Sequence, residues 1–473
     1  MSWETVIGLE VHVQLSTRTK MFCGCRTTFG DPPNTNICPT CLGLPGALPV
    51  PNDEAVRLAT RGAIALGCSV HETSVFARKN YFYPDLPKGY QISQFDRPLA
   101  TAGRVAFESP ERGRIDVGIT RLHVEEDAGK LVHDRFPGKT AVDLNRAGTP
   151  LAEIVSDPDL RSPAEARAYL TTLRQILIYA GVSDCSMEQG SLRVDANISI
   201  RQPGDPKLGT KTEVKNLNSF ANVERALEAE RERQIARAER GERIAQVTLL
   251  FNAGTGQVRE LRSKEESHDY RYFPDPDLPP LVLAPEWIAE QRSALPELPE
   301  ARRARLEIAY GLPTYDVRVL TSEITLAEYF EAVVAAGVEA KTAANWVMGD
   351  VMTTFNESGG FPVEAARLAA LVTLVRDGVV SHQAAKRVYT ELAQRPGEDP
   401  RASAERLGLV QVSDQGALAS WVDEVLAAHP AEVARFKSGE TKLMGFFVGQ
   451  VMKRSKGKAD PKGVQPVLQE KLG

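Results

Sequence analysis

Residues 5–15, TVIGLEVHVQL, alternate strictly, with Ile7, Leu9, Val11, Val13 and Leu15 on one face and Gly8, Glu10, His12 and Gln14 on the other. A repeat of two is the side-chain repeat of an extended chain, so this is a half-buried strand whose second face is polar. Residues 191–201, SLRVDANISIR, repeat the pattern: Leu192, Val194, Ala196, Ile198 and Ile200 point one way and Arg193, Asp195, Asn197, Ser199 and Arg201 the other. In residues 114–127, RIDVGITRLHVEED, the apolar phase slips between Ile119 and Leu122. That slip predicts a bulge, which re-aims the side chains that follow it. TAVDLN at 140–145 and KTEVKNL at 211–217 are further strand candidates. Residues up to about 290 therefore read as an antiparallel sheet domain with long loops.

Helices interrupt the sheet. Ser162, Pro163, Ala164 and Glu165 form a capping-box sequence with proline at the first helical position, and Leu170, Leu173, Leu177 and Ala180 follow on one face before Gly181. Residues 221–246 read as a second helix whose many charges form a solvated face. From residue 298 onward the period is helical, as in LAEYFEAVVAAG (326–337) and AARLAALVTLVRDG (365–378). The chain is thus α+β in front and all-helical behind, and RPGEDP at 395–400 reads as a linker into a small final helical module. The expected domains are 1–295, 296–397 and 398–473.

A chain of 473 residues is too long for one core, and 42% hydrophobic with 25% charged residues excludes disorder as the default. The net charge of −5 means that any affinity for nucleic acid must come from local basic surfaces. No apolar run approaches a membrane span, and the opening MSWETVIGLEVHV lacks the pattern of a signal peptide, so a cytoplasmic, non-membrane protein is expected.

Cys23 and Cys25, twelve residues, then Cys38 and Cys41 give two close ligand pairs, the spacing of a four-thiolate zinc site. GDPPNTN at 30–36 supplies the turn that folds the arms together. Such a closed site is structural; the alternative is four unligated thiols. Cys68 and Cys185 stand alone and read as small core residues.

The polar strand faces collect Glu10, His12, Glu125, Glu126, Glu153, Asp195, Asn197, Glu213 and Lys215. A histidine among several carboxylates suits a hard divalent cation such as magnesium, which takes oxygen ligands and keeps waters for a phosphate substrate. The alternative is an ordinary wet sheet face. FPGKT at 136–140 is no phosphate loop, because His133 stands where the first glycine is required, and it reads as a turn; NAGTGQ at 252–257 reads as a hairpin loop. Neither a nucleophile elbow nor a glycine-serine-rich amidase signature is present, so the chain has no evident means of releasing ammonia from glutamine.

Longer motifs carry a resemblance. WETVIGLEVHVQL (3–15), FCGC (22–25), ICPTCLGLPGALPVPN (37–52), ARKNYFYPDLPKGYQISQ (77–94), LHVEEDAGK (122–130), DLNRAGTPLAEIV (143–155), TEVKNLNS (212–219), DYRYFPDPDLPPL (269–281) and the end GFFVGQVMKRSKGKADPKGVQPVLQEKL (445–472) closely resemble the B subunits of bacterial aspartyl/glutamyl-tRNA amidotransferases. The resemblance covers essentially the whole chain. It implies a catalytic cradle domain, a helical domain and a small tRNA-binding tail domain. It also implies a heterotrimer in which a glutaminase (amidase) subunit, accompanied by a small third subunit, passes ammonia through a channel to this chain. ATP and Mg2+ would then phosphorylate the side-chain carboxylate of Glu-tRNA(Gln) or Asp-tRNA(Asn), and ammonia would displace phosphate.

On that resemblance His12, Glu125, Glu153 and Glu213 are expected to hold magnesium directly or through water, while Glu10 and Asp195 guide ammonia or hold a second cation. Glu10, His12, Glu125 and Asp195 would then be the catalytic set. Lys79, with Lys88, is expected at the nucleotide, and Tyr81, Tyr83 and Lys88 at the acceptor-end pocket, against the plain alternative that these aromatics are core. Zinc at Cys23, Cys25, Cys38 and Cys41 would be structural. In the tail, Lys437, Lys442, Lys453, Arg454, Lys456 and Lys458 face only Glu440, which reads as a tRNA phosphate surface, with a solvated basic helix end as the alternative. Gly445, Gly449 and Gly457 would admit RNA or permit tight helix packing. Two other functions compete: a non-catalytic tRNA-binding scaffold, which gains nothing from carboxylates that repel phosphate, and a metal-dependent hydrolase acting alone.

Overall fold

The computed structural model of the chain describes residues 2–263, 270–411, 415–455 and 457–473. It forms two compact units, Met1–Ala301 and Arg302–Gly473. The first is built on nine strands: β1 (Glu4–Gln14), β2 (Ser69–Val70), β3 (Ala100–Ser109), β4 (Gly113–Glu126), β5 (Pro150–Ser156), β6 (Leu192–Arg201), β7 (Thr212–Lys215), β8 (Val247–Asn252) and β9 (Gln257–Ser263). Their order across the sheet is β9, β8, β7, β6, β1, β5, β4, β3, β2. Every pairing is antiparallel except β7 with β8. Parallel neighbours cannot be joined by a tight turn, and here the connection is the helix α3 (Phe220–Glu239).

The expected alternation of β1 is realised. Ile7, Leu9, Val11, Val13 and Leu15 are at most 3% exposed and join Val194, Ala196 and Ile198 of β6 in one core. The helix α2 (Pro163–Tyr179) contributes Leu170, Leu173 and Leu177 to the same core, and α3 contributes Val223, Ala226 and Leu227. Burying each such aliphatic side chain contributes about 1.5–3 kcal/mol.

The expected bulge lies in β4. Val155 of β5 pairs with Arg121, but Ser156 pairs with Ile119, so Thr120 is the extra residue. Before it Val117 and Ile119 face the core, and after it Leu122 and Val124 do. His123 and Glu125 are thereby turned to the opposite, polar face.

Several local readings need correction. Ser162 caps α2 by accepting from Glu165 N at 3.3 Å, but the Glu165 carboxylate accepts from Arg161 N at 2.7 Å and Ser109 Oγ at 2.8 Å, so the return bond of the capping box goes one residue earlier. Helix α3 stops at Glu239, with Gly241 at φ 75°, rather than running to 246. Its charges are not all solvated: Glu230 and Gln234 are fully buried, and both hydrogen-bond Thr212 Oγ1 of β7. TAVDLN lies outside the main sheet, because Lys139–Asp143 pairs with Lys130–Phe136 in a separate hairpin whose turn contains Gly138 at φ 68°. NAGTGQ is the β8–β9 hairpin loop, where Asn252 Oδ1 accepts from Gly254 N and Thr255 N.

The second unit holds two hydrophobic clusters. One includes Leu326, Phe330, Leu368, Leu371, Val388, Leu392 and Ala404. The other, with Leu418, Val422, Phe447, Val451, Val464 and Leu468, joins the helices Gln415–Ala428, Leu443–Arg454 and Pro461–Leu472. Because Ala404 lies in the first of these, RPGEDP is a loop within it, closed by Asp399 capping the helix Pro400–Arg406. Among the described residues no helix is long and apolar enough to cross a membrane.

Deleting Thr120 would turn Leu122 and Val124 outward and His123 and Glu125 into the core, so the variant is expected to unfold at far lower urea than wild type. Thr120→Ala, an exposed change that keeps the bulge, is expected to cost no more than about 0.5–1 kcal/mol in the same titration.

Candidate active site

The polar face of the sheet assembles the site by register alone. His12 of β1 lies opposite Glu153 on one side and Arg193 on the other, while Glu10 lies opposite Asp195. Glu153 in turn lies opposite His123 of β4. Two residues further along β4, Glu125 completes a group in which ligand atoms of His12, Glu125 and Glu153 lie within 4.8 Å of one another. A second group, with the same spread, consists of Glu10, Asp195 and Glu213. Glu213 therefore falls with Glu10 and Asp195, not with the histidine group where the sequence placed it.

In the first group His12 Nε2 is 3.4 Å from Glu153 and 3.9 Å from Glu125, and His123 Nε2 is 3.3 Å and 3.5 Å from the same two carboxylates. Glu125, Glu153 and His123 are all under 9% exposed. Burial pushes the His123 ring toward neutrality, but the two carboxylates overcome it and raise its pKa to about 9. His12 is raised in the same way, against burial, chiefly by Glu153. Glu153 is held well below the ordinary carboxylate range despite burial, because His123 and His12 face it. Ser93 Oγ fixes Glu125 by donating to it at 3.0 Å.

In the second group Asn197 Nδ2 donates to Glu10 at 3.0 Å, Thr248 Oγ1 donates to Glu213 at 3.0 Å, and Lys215 Nζ bridges Asp195 and Glu213. Adjacent ligands on an octahedral cation are about 3 Å apart and opposite ones about 4 Å, given metal–ligand distances near 2.1 Å. The separations in the first group fit that range. Its donor set of carboxylate oxygens and imidazole, with both carboxylates buried and Glu125 held by Ser93, suits a divalent cation.

Lys79, on the strand Ala77–Asn80, lines the same pocket as His12, Glu125, Arg193 and Asp195. Burial disfavours its charge, but Glu125 and neighbouring groups raise its pKa. Its ammonium lies 5.9 Å from the Tyr81 ring and 5.0 Å from that of Tyr270. Tyr83 is 58% exposed, so it is not core. Lys88 is elsewhere: it pairs with Glu126, whose carboxylate also accepts from Ile92 N, and lines a cavity beside Lys20, Phe22 and Cys41. Glu126 follows Glu125 on a strand and so points to the other face.

The four clustered cysteines bring their Sγ atoms within 4.8 Å of one another. Gly30 at φ 86° and Asn34 at φ 60° turn the connecting loop back. Cys41 is held down to about 4 by hydrogen bonding from Cys23 and by Lys20, whose Nζ is 3.6 Å from the sulfur, while burial pushes Cys25 up to about 11. Cys68 and Cys185 are buried, single core residues.

In the tail, Arg454 pairs with Glu424, Lys471 with Asp423, and Glu440 with Arg435, so the acid expected to oppose the lysines is already engaged. Lys442 precedes the helix Leu443–Arg454 without capping it, and Lys453 and Arg454 end it. Lys456 lies outside the described residues. A Cβ at Gly445, Gly449 or Gly457 would meet nothing within 4 Å, so tight packing does not require these glycines.

Sequence reasoning missed His123, Arg193 and Lys20. The phase slip after Ile119 was the signal for His123, since it puts residue 123 on the face of residue 125. Arg193 needed the β1–β6 register, and Lys20 had no signal at all.

Known proteins place the chain. Residues 5–289 match the family described as GatB/GatE catalytic domain, and residues 328–472 match the GatB domain. The B subunits of the aspartyl/glutamyl-tRNA(Asn/Gln) amidotransferases of Geobacter sulfurreducens and Moorella thermoacetica are 53% and 52% identical to it, over 100% of both chains. That of Thermosynechococcus vestitus is 51% identical over 100% of this chain and 97% of its own. Matched in both parts and along its full length, the chain belongs to the B-subunit family of the aspartyl/glutamyl-tRNA(Asn/Gln) amidotransferases.

Proposed function

We propose that this protein phosphorylates the side-chain carboxylate of Glu carried on tRNA(Gln), or of Asp carried on tRNA(Asn), and exchanges the phosphate for ammonia. The observation that carries the reading is the pairing of two acid groups on one polar sheet face, His12/Glu125/Glu153 and Glu10/Asp195/Glu213, with Lys79 lining the pocket there. A substrate carboxylate oxygen attacks the terminal phosphorus of ATP and ADP departs; ammonia then attacks the acyl carbon and inorganic phosphate leaves. Phosphoryl transfer asks a protein chiefly for positioning and charge neutralisation.

His12, Glu125 and Glu153 would hold magnesium, which when bound would supply that neutralisation. Lys79 offers a cation to the nucleotide phosphates from the lining of the same pocket. Glu10, Asp195 and Glu213 are suited to guide ammonia or hold a second cation. Lys88, tied to Glu126, is left without a nucleotide role. The chain supplies no ammonia-releasing chemistry of its own, which fits a glutaminase subunit and a small third subunit as partners. The thiol cluster would hold zinc as a brace, and Lys442, Lys453 and Lys458 offer charge to tRNA. A pure RNA-binding scaffold would not gather six acidic or imidazole ligands where phosphate must approach.

Glu125→Gln is expected to abolish magnesium-dependent ADP formation while tRNA affinity stays within about threefold, since it removes a cation ligand and no phosphate contact. Loss of tRNA binding with ADP formation intact would sink the assignment. Elemental analysis of protein purified without chelator should find one zinc per chain, and Cys38→Ser should release it and lower stability without a direct effect on the chemical step. Zinc-free protein of full activity and stability would show the cluster to be vestigial.

Truncation after Gln411 spares the cluster that contains Ala404 and removes only the last one. It should weaken tRNA binding and flatten its salt dependence by roughly 0.7–0.9 in log–log slope per lost phosphate contact, with ADP formation at saturating tRNA retained. An unchanged affinity and slope would remove the tail from RNA binding.

A further inference from the structure

Five charged side chains line the pocket at the first acid group: Glu125, Asp127, Asp195, Lys79 and Arg193. The proposed substrate presents a carboxylate, which three carboxylates repel. Lys79 sits near the rings of Tyr81 and Tyr270 on the strand Ala77–Asn80, outside the main sheet, which leaves Arg193 as the planar cation on the sheet face itself. Arg193 is the cross-strand partner of His12, and directly opposed residues have Cβ atoms about 5 Å apart, so a group bound to Arg193 lies beside the His12 cluster.

The guanidinium is only partly used. Asp127 engages its Nη2 at 2.8 Å, and its Nε is buried with no hydrogen-bond partner. The side chain is nevertheless 38% exposed, so the fork has room to donate to a second carboxylate beside Asp127. Asp127 does not depend on Arg193 alone, because Gln14 Nε2 donates to it at 2.8 Å and Arg146 Nε lies 3.7 Å away. Asp127 is thereby held in place by two further partners, so that it can orient Arg193 while the rest of the guanidinium meets a ligand.

We infer that Arg193 binds the side-chain carboxylate of the misacylated aminoacyl-tRNA and holds it beside His12, Glu125 and Glu153, with Asp127 as the positioning residue that aims the guanidinium. This rests on the reaction proposed above. Arg193 is then a substrate-binding residue that fixes which anion is activated, and its fork fits a carboxylate in a way that lysine does not.

The test uses the complex reconstituted with its partner subunits and follows ADP formation against misacylated tRNA and against ATP separately. Arg193→Met is expected to raise KM for misacylated tRNA about 10- to 100-fold, the loss of a charge-assisted pair, with KM for ATP within about twofold. Guanidinium ion in the buffer should restore part of the loss. Arg193→Lys, which keeps the charge, should lie between the two. The double variant Arg193→Met with Asp127→Asn should remain as impaired as Arg193→Met.

If Arg193 merely neutralises Asp127, the double variant recovers the wild-type KM and the inference is overturned. It is overturned too if both single variants keep the wild-type KM for misacylated tRNA, or if KM for ATP carries the change. Wild-type complex that makes no ADP in response to misacylated tRNA would instead remove the reaction on which the inference rests.

Discussion

Strand β1 is hydrogen-bonded on both edges, to β6 along Glu4 to Val13 and to β5 along Glu10 to Gln14, and its two-residue pleat decides everything around it. A slip of one residue would expose Ile7, Leu9, Val11, Val13 and Leu15 and bury Glu10 and His12. Five aliphatic side chains at about 2 kcal/mol each amount to the whole net stability of an ordinary domain, so no other register competes. Once β1 is fixed, Glu153, Arg193 and Asp195 are fixed beside it, since each is paired to β1 directly. The site follows from the core without any further instruction.

The exception is β4, where continuous alternation would have put His123 and Glu125 among the leucines. One extra residue, Thr120, reverses the facing of everything after it. Two buried carboxylates then lie within 4 Å of two imidazoles; they raise both rings, and the rings in turn lower Glu153. Such a group gains little as a structural ion pair, because desolvation offsets the attraction. Its value is that the same lone pairs can be turned toward a cation when protons leave the rings.

The parts legible in the sequence were those with a short period. Alternation in residues 5–15 and 191–201 gave the strands and their faces, the phase slip gave the bulge, and cysteine spacing gave the thiol cluster. What depended on partners far along the chain was not legible. No periodicity shows that Thr212–Lys215 runs parallel to Val247–Asn252, that TAVDLN leaves the sheet, or that Lys88 turns to Glu126 while Lys79 lines the pocket that holds Glu125. The grouping of Glu213 with Glu10 and Asp195 is of the same kind: all three were visible as polar-face acids, but only the strand order sorts them. Glu230 shows the reverse error, since a charged residue on a charged helix suggests a solvated face, yet here it closes a buried bond to Thr212.

Under the proposed reaction, the charge pattern sets a delivery problem that constrains where affinity resides. A polyanion must bring a carboxylate into a pocket whose lining is itself acidic, in a chain of net charge −5. Attraction at the pocket cannot supply the binding energy, because Glu125, Asp127 and Asp195 offset Lys79 and Arg193 in its lining. Binding must therefore be drawn from surfaces remote from the chemistry and used to hold the terminal residue in place. The tail lysines are suited to that role because they belong to a cluster with its own core, distinct from the core beneath the acid groups. Inside the pocket the few cations, Lys79 and Arg193, need only orient an anion already delivered. Directional groups outperform mere positive charge for that purpose, which is why a guanidinium half-occupied by Asp127 serves better there than another free lysine.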